Sequence, residues 1–260
     1  MLSYLLQITG VYRAYEKFLK GQIQSGEKPQ HIGIILDGNR RWAKSTHNPR
    51  WVGHFIGAGK AEELMDWCNE IGVKTVTLYT LSTENYERNK SEMDELFNLI
   101  DERLSKLLVD ERIHRNRINV KAIGRKELLP KNINALLSRI EKDTENYSNH
   151  FLNIAIAYGG RHEIVDVMKI IAEKAKSGEL DPSEITAKMV EQHLYTSHLP
   201  NPEPDLVIRT SGEERLSGFL LWQSAYSELV FLDVYWPEFR KIDLMRAIRT
   251  YQKRSKRLGK

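Results

Sequence analysis

The sequence predicts an α/β fold in which a mainly parallel central sheet of about six strands carries helices on both faces. Short apolar runs alternate with longer segments of helical periodicity along almost the whole chain, and polar clusters follow several of the runs. Parallel strands need crossover connections, which the helical segments can supply. We therefore expect a single domain at residues 30–260, preceded by an N-terminal helical extension and linker at 1–29.

The predicted strands are apolar or β-branched and are bounded by polar or glycine-containing segments. They are residues 31–36, 74–79, 117–123, 151–158, 205–209 and 229–235. Helical spacing predicts helices at 57–71, 91–108, 130–147, 161–177, 183–195 and 241–254. Ser91 and Asp94 have the spacing of a capping box at the start of the second helix.

The N-terminal extension allows two interpretations. Leu2, Leu5, Phe18 and Leu19 lie near helical spacing, either on a helix packed against its own domain or on a peripheral membrane or partner contact. No apolar run approaches the ~18 residues needed to span a bilayer. The first residues lack a basic segment and a small-residue cleavage site, so we expect no signal peptide and a cytoplasmic protein.

Composition narrows the functional classes. The 260 residues are 41% hydrophobic and 28% charged, as expected for an ordinary globular core. A net charge of +4 favours anionic ligands without requiring nucleic acid, and no nucleic-acid partner is expected. Cys68 is the single cysteine, so neither an intrachain disulfide nor a cysteine metal cluster can form. The chain contains neither a P-loop nor a dinucleotide-binding glycine pattern.

The most informative motif follows the first predicted strand. There the chain reads Asp37-Gly38-Asn39-Arg40-Arg41. Open α/β sheets place ligands at the carboxyl ends of their strands. A carboxylate that can hold Mg²⁺, beside guanidiniums that bind phosphate oxygens, indicates a magnesium-assisted phosphate site.

A second cationic cluster follows the fifth predicted strand. Arg209 and Arg215 stand there with Ser211, Gly212 and Ser217, which can surround phosphate oxygens with side-chain and backbone donors. In a parallel sheet this cluster shares an edge with the first motif. Two separate anion sites favour a transferase that joins two phosphorylated substrates over a hydrolase or a generic phosphate-binding domain.

Two further residues have both a structural and a functional interpretation. His54 is either a packed structural histidine or a proton shuttle or phosphate donor. Glu228 lies in a mostly apolar stretch, where a carboxylate needs a cation, a metal or an amide donor unless it sits at a surface helix end.

Several sequence blocks together resemble the cis-prenyltransferases, the undecaprenyl diphosphate synthase family. The first is Asp-Gly-Asn-Arg-Arg-Trp-Ala-Lys at 37–44. The others lie at 53–54, 78–85, 153–161, 205–213, 220–223 and 226–229. The resemblance implies a homodimeric, Mg²⁺-dependent α/β enzyme that condenses isopentenyl diphosphate with an allylic diphosphate, farnesyl or geranylgeranyl, to give a cis-polyprenyl diphosphate, the precursor of a lipid carrier.

The resemblance also implies roles for the matching positions. Asp37 would anchor Mg²⁺ and diphosphate, and the allylic diphosphate would be held by Gly38, Asn39, Arg40, Arg41 and Arg50. The reacting ends and the departing proton would be oriented by His54, Ser82, Glu84 and Asn85. The catalytic candidates are Asp37, His54, Ser82 and Asn85. Isopentenyl diphosphate would be held by Arg209, Arg215 and Ser217. The implied substrate-binding set also includes Trp42, Thr83, Tyr86, Arg88 and Leu216.

The resemblance further implies two contributions at a dimer interface. Glu228 matches a family acid near the metal, and Arg257-Leu258-Gly259 matches an element that reaches the partner's site. The alternatives are a catalytically silent partner subunit, or a variant with another prenyl acceptor, because Ser211 and Glu214 depart from the usual family residues.

The hydrocarbon product of such a reaction needs an apolar channel. Candidate wall residues are Leu96, Phe97, Ile100 and Leu104 on the long helix, with Leu78 and Thr80 on the facing strand.

Overall fold

Six parallel strands form the central sheet in the order β3-β4-β2-β1-β5-β6. The computed structural model describes residues 10–254. Its strands are β1 (His31–Ile35), β2 (Thr75–Ser82), β3 (Ile118–Ile123), β4 (His150–Tyr158), β5 (Leu206–Arg209) and β6 (Glu228–Phe231). The predicted α/β class with a mainly parallel sheet is confirmed.

Helices occupy the connections between the strands. In chain order they are α1 (Val11–Gln24), α2 (Asn39–Ser45), α3 (Arg50–Ile71), α4 (Lys90–Leu108), α5 (Glu111–Arg115), α6 (Lys131–Thr144), α7 (Gly160–Lys176), α8 (Ala187–Glu191) and α9 (Lys241–Arg254). Short 3₁₀ turns span Thr83–Glu87, Lys126–Leu128, Pro182–Glu184 and Trp236–Glu238. Because neighbouring strand residues point to opposite faces, Ile34 and Leu78 enter the core beneath α3 and α4, whereas Ile35 and Tyr79 pack with Phe219 on the other face.

Helix α3 begins at Arg50, earlier than the predicted residue 57. Pro49 is the N-cap residue, and its φ of −57° and ψ of 150° are the non-helical backbone angles typical of that position. The helix contains Gly53 and Gly57 because it packs closely on Asn39. A Cβ at Gly53 would lie 2.2 Å from the Asn39 backbone oxygen, and one at Gly57 would lie 2.3 Å from its side-chain oxygen.

Three other local predictions were wrong. The N-cap of α4 is Asn89, whose side chain accepts the Glu92 amide at 2.8 Å, so no capping box forms at Ser91. The predicted helix at 183–195 is a 3₁₀ turn that begins at Pro182, followed by the short α8. The sixth strand ends at Phe231 rather than at residue 235. Beyond it, the carbonyls of Leu232 and Val234 accept hydrogen bonds from the amides of Gly212 and Ser211 in the loop after β5, so the strand pairing stops.

The N-terminal helix packs against α9 and buries Leu19 and Ile23. Its outer side leaves Val11 and Phe18 more than half exposed. The predicted positions Leu2 and Leu5 lie outside the described residues. Within the described range, no helix has the length and hydrophobicity of a membrane span.

A buried polar network links β1 to its neighbours. The His31 ring bonds to Thr77 Oγ1 at 2.8 Å and to the Asn201 carbonyl at 2.9 Å, and Asn153 Nδ2 donates to the same threonine. The Asp205 carboxylate accepts the His31 backbone amide at 2.9 Å. Burial lowers the pKa of His31 to about 4. This network fixes β1 between β2 and the segment that enters β5.

The His31 network predicts loss of stability in acid. His31 is neutral in the folded state and titrates near 6.5 when unfolded, so its contribution is complete above pH 6.5 and falls as the pH drops toward 4. We expect the free energy of unfolding in urea to be about 2 kcal/mol lower at pH 5 than at pH 7.5 through His31. The variant His31→Gln should lose this part of the pH dependence, whereas the exposed control His47→Asn should keep it. Equal pH dependence in the two variants would contradict the prediction.

Candidate active site

The centre of the candidate site is an ion pair between the ends of two neighbouring strands. Strands β1 and β5 are adjacent in the sheet. The chain continues from β1 to β2 on one side of this pair and from β5 to β6 on the other, and open α/β sheets form a crevice between two such strands. Arg209 Nη2 donates to Asp37 Oδ2 at 2.7 Å, and Arg41 Nη2 lies 3.2 Å from Asp37 Oδ1. Burial raises the pKa of Asp37, but Arg209 and Arg41 outweigh it and hold that pKa below its usual range. The first and second motifs of the sequence therefore meet.

Arg41 and Arg209 also order the loop after β5. Arg41 donates to Ser211 Oγ at 2.6 Å and to Glu213 Oε1 at 2.7 Å. Arg209 donates to Ser217 Oγ at 2.7 Å and to the Arg215 carbonyl. These contacts hold the two predicted cationic clusters in one connected network.

A second group of arginines converges on one buried carboxylate. Glu92, in the first turn of α4, is only 6% exposed. Its oxygens lie 3.5 Å from Arg40 Nε, 3.4 Å from Arg50 Nη1 and 3.2 Å from Arg88 Nη1. Glu92 thus gathers three cations from three separate segments.

Beside these arginines lie the polar groups that follow β2. Ser82 and Asn85 form a reciprocal capping box, in which Asn85 Oδ1 accepts the Ser82 amide at 3.1 Å. Asn85 therefore offers its amide NH₂ as a donor. His54 Nε2 is buried without a hydrogen-bond partner, and burial followed by the charge of Arg88 lowers the pKa of His54 to about 4. A neutral imidazole with an unused nitrogen suits a ligand that completes its hydrogen bonding.

The same groups form the mouth of a cavity of about 1310 Å³. Its interior is mostly aliphatic and lies between the sheet, α3 and α4. Of the predicted channel residues, Leu78, Thr80, Leu96, Ile100 and Leu104 line it. Phe97 does not, because its ring packs against Tyr86 at a centroid distance of 6.1 Å. A charged mouth on an apolar interior fits an amphipathic ligand with an anionic head and a hydrocarbon tail.

Most predicted site residues line this cavity. They are Asp37, Gly38, Asn39, Arg40, Arg41, Arg50, His54, Ser82, Glu84, Asn85, Arg88, Arg209 and Ser217. Within the described residues, five other predicted contacts lie outside its wall: Trp42, Thr83, Tyr86, Arg215 and Leu216. Two of these side chains have other partners: Tyr86 donates to the Leu128 carbonyl, and Arg215 pairs with Glu213 at 2.5 Å.

Glu228 lies away from Asp37 within one chain. It is the first residue of β6 and pairs in register with Leu206, whereas Arg209 pairs with Phe231. Three residues along a strand separate it from the site edge by about 10 Å. Glu228 instead forms an ion pair with Arg254 at 3.7 Å. The matching element at 257–259 lies outside the described residues.

Sequence reasoning missed several cavity residues. Glu92 fell within the mistaken capping box, and only its approach to three arginines identifies it. Arg161 belongs to a glycine-arginine motif after β4 that could have been included on position alone. Glu62 and Arg103 gave no signal, because charged residues on helices normally face solvent.

The residues at the mouth fit Mg²⁺ only together with a substrate. Among the described residues, no group of three His, Cys, Asp or Glu side chains could hold a metal ion. Mg²⁺ commonly takes one or two carboxylates and completes its shell with substrate phosphates and water. Asp37 supplies one such carboxylate at the cavity mouth, so the donor set is compatible with a magnesium diphosphate.

Comparison with known proteins identifies the family. Residues 35–259 match the prenyltransferase family model that describes undecaprenyl diphosphate synthases. The tritrans,polycis-undecaprenyl-diphosphate synthase (geranylgeranyl-diphosphate specific) of Methanocaldococcus jannaschii is 50% identical to this chain, and the match covers 98% of this chain and 91% of that protein. The synthase of the same name from Methanopyrus kandleri is 52% identical, and the match covers 96% of this chain and 92% of that protein. The crystal structure of lavandulyl diphosphate synthase from Lavandula x intermedia, in complex with dimethylallyl diphosphate, has a TM-score of 0.82 and 34% identity, and the match covers 87% of this chain and 96% of that one. The chain therefore belongs to the cis-prenyltransferase family of prenyl-transferring enzymes.

Proposed function

We propose that this enzyme condenses isopentenyl diphosphate with geranylgeranyl diphosphate to form a cis-polyprenyl diphosphate. The observation that carries the proposal is the joining of two arginine-lined anion pockets at the mouth of one aliphatic cavity. The archaeal relatives named above, at about half identity, carry geranylgeranyl specificity in their names, which favours that starter over farnesyl diphosphate. A long cis product would serve as the precursor of a lipid carrier.

In this proposal the two pockets have different substrates. Arg40, Arg41 and Arg50 hold the allylic diphosphate, and its hydrocarbon tail enters the cavity. Arg209 and Ser217 hold isopentenyl diphosphate. Asp37 lies between the pockets and is the residue that would hold Mg²⁺, which when bound stabilises the charge developing on the leaving diphosphate.

The reaction breaks the allylic carbon–oxygen bond and joins that carbon to the terminal carbon of the isopentenyl double bond. One proton then leaves the isopentenyl unit. Asn85 presents a donor and His54 Nε2 is neutral and unpaired, so both can orient diphosphate oxygens. An amide is a poor base, and we infer that a substrate diphosphate oxygen takes the proton.

Two alternatives are less well supported. A silent partner subunit would not need the complete set of Asp37, Asn39, Arg41 and Arg209 at one cavity mouth. A variant with another prenyl acceptor is disfavoured because the archaeal undecaprenyl-diphosphate synthases are 50% and 52% identical to this chain, whereas the synthase named for a different product, lavandulyl diphosphate, is 34% identical.

We also infer a homodimer through the β6 edge of the sheet. Tyr226, just before β6, is 86% exposed, and Met168 and Val165 on α7 are 62% and 45% exposed. Trp222, four residues before Tyr226, packs against the buried cluster of Val167, Ile171 and Leu194. Exposed apolar side chains of this size beside a sheet edge are typical of an interface. Such an interface could bring Glu228 to the partner's site.

The location of the enzyme is part of the same proposal. We infer a cytoplasmic protein with peripheral membrane contact through the outer side of α1. This helix exposes Val11 and Phe18 on one flank and the basic residues Arg13 and Lys17 on another. Apolar and basic side chains on one exposed helix suit an anionic membrane surface.

The function is tested by incubating the purified protein with Mg²⁺, geranylgeranyl diphosphate and labelled isopentenyl diphosphate and sizing the products. We expect Asp37→Ala to lower turnover by about a thousandfold, because the mouth loses its central carboxylate. The exposed control Asp94→Ala should remain active. Turnover of Asp37→Ala within about threefold of the wild type would contradict the assigned role.

The assignment of the second pocket is tested by Arg209→Ala. We expect the KM for isopentenyl diphosphate to rise about tenfold or more, because a bidentate donor is lost. Ser217→Ala, which removes a contact of Arg209 without touching Asp37, should change the same KM in the same direction but less. A change confined to the KM for the allylic substrate would reverse the two pocket assignments.

The dimer is tested by sedimentation of Met168→Asp and Tyr226→Asp. We expect both variants to sediment as monomers where the wild type is a dimer, because a charge would be buried in the apolar contact. Val109→Asp, at a 74% exposed position after α4, is the matched control and should stay dimeric. Dimers in all three variants would exclude this surface as the interface.

A further inference from the structure

The second pocket includes a short segment with unusual backbone, residues 217–220. Ser217, Gly218 and Leu220 have φ values of 48°, 80° and 42°, in the left-handed region that non-glycine residues rarely adopt. Ser217 lines the cavity, and its Oγ accepts a hydrogen bond from Arg209 Nη1 at 2.7 Å. A strained backbone persists only where its surroundings hold it, so the position of this hydroxyl depends on the contacts that anchor the segment.

Phe219 anchors the segment to the sheet. Its side chain is completely buried and stacks on the ring of Tyr79, with a centroid distance of 4.8 Å and an interplanar angle of 16°. The same ring lies against Gly33 of β1, where a Cβ would come within 2.9 Å of it. Strand β1 therefore needs a glycine at this point to leave room for the ring, and Tyr79 supplies the neighbouring surface.

Tyr79 also reaches the segment through its hydroxyl group. Ile35 pairs in register with Tyr79 on one side and with Arg209 on the other, so these side chains leave the sheet on the same face. The Tyr79 hydroxyl lies 3.3 Å from the Ser217 carbonyl oxygen and 3.4 Å from the Tyr158 carbonyl oxygen, and its proton is shared between them. Because Tyr79 is only 8% exposed, its hydroxyl needs such partners within the protein.

The carbonyl that follows Ser217 in the chain is held by backbone alone. Gly218 O accepts the Gly160 amide at 2.8 Å, and a Cβ at Gly160 would lie 2.5 Å from that oxygen. Two successive carbonyls of the segment are thus fixed, one by Tyr79 and the other by the start of α7. Only the first of these contacts depends on a side-chain group, so it can be removed by substitution while the second stays in place.

We propose that Tyr79 is a positioning residue of the second pocket, whose hydroxyl fixes the backbone of Ser217 and thereby the place at which Ser217 Oγ meets Arg209 and the ligand. This inference rests on the proposed function, which assigns isopentenyl diphosphate to that pocket. Tyr79 acts through Ser217 rather than on the reacting atoms. Its loss therefore weakens binding in the second pocket and leaves the allylic pocket and the chemical step unchanged.

The first test is Tyr79→Phe, which keeps the ring and its stacking but removes the hydroxyl. We expect the KM for isopentenyl diphosphate to rise about fivefold, the effect of losing one neutral hydrogen bond. The kcat and the KM for geranylgeranyl diphosphate should stay within about twofold of the wild type. The matched control is Tyr195→Phe, because the Tyr195 hydroxyl donates to Asp166 of α7 at 2.8 Å rather than to the segment. This control should leave both KM values unchanged.

The second test is the double variant Tyr79→Phe with Ser217→Ala. If Tyr79 acts through the Ser217 hydroxyl, its effect disappears once that hydroxyl is removed. The KM of the double variant for isopentenyl diphosphate should then equal that of Ser217→Ala alone. A KM that multiplies the two single increases would show that Tyr79 acts independently of Ser217 and would overturn the proposal.

Thermal unfolding of each variant shows whether it is folded. An unchanged KM for isopentenyl diphosphate in folded Tyr79→Phe, or an equal rise in Tyr195→Phe, would overturn the positioning role. If Tyr79→Phe does not fold, Phe219→Leu decides the question, because it loosens the same segment with the hydroxyl in place. This variant should raise the same KM, and an unchanged KM would again exclude the role. A wild type that makes no condensation product would instead overturn the proposed function.

Discussion

The ion pair between Asp37 and Arg209 is the contact on which the rest of the site depends. It exists because β1 and β5 are parallel neighbours in a register that pairs Ile35 with Arg209, so the two motifs reach the same edge from positions far apart in sequence. Arg209 is only 5% exposed. Removing one member of such a buried pair typically costs about 3–5 kcal/mol, because the other charge is left without a partner. The fold therefore constrains these two residues to remain together.

The balance of charges at the mouth keeps the arginines paired with carboxylates and also leaves an excess of positive charge that attracts anions. Asp37, Glu92 and Glu213 together contact Arg40, Arg41, Arg50, Arg88 and Arg209. Each guanidinium has a carboxylate nearby, yet the carboxylates are outnumbered, so positive charge remains in excess. This excess suits polyanionic diphosphates, whereas the aliphatic interior contributes affinity for the tail. A ligand can exchange with internal partners at the mouth without leaving any arginine unpaired.

The fold class and most of the mouth were predictable from sequence because they depend on local patterns. The apolar run of β1 and the polar residues after it identify both a strand and a site at its end, and parallel topology brings Arg209 to the same edge. Glu92 and Arg103 were not predictable as cavity residues, because their positions depend on which helix face turns inward and on the partners Arg50 and Glu62, which are more than forty residues away in sequence. Glu228 is a different case: its motif matched, strand register places it away from Asp37 within one chain, and its expected role at a dimer interface stays a prediction.

In the loop after β5, backbone strain occurs where the loop contacts Arg41 and Arg209. Ser211, Ser217 and Leu220 have φ values of 80°, 48° and 42°, in the left-handed region that costs non-glycine residues about 1 kcal/mol or more each. Each has a compensating contact: Ser211 Oγ accepts a hydrogen bond from Arg41, Ser217 Oγ accepts one from Arg209, and the Leu220 side chain is completely buried. Two of the three contacts thus come from the arginines assigned to bind diphosphate. The strained loop is therefore held in place by the same two arginines that pair with Asp37.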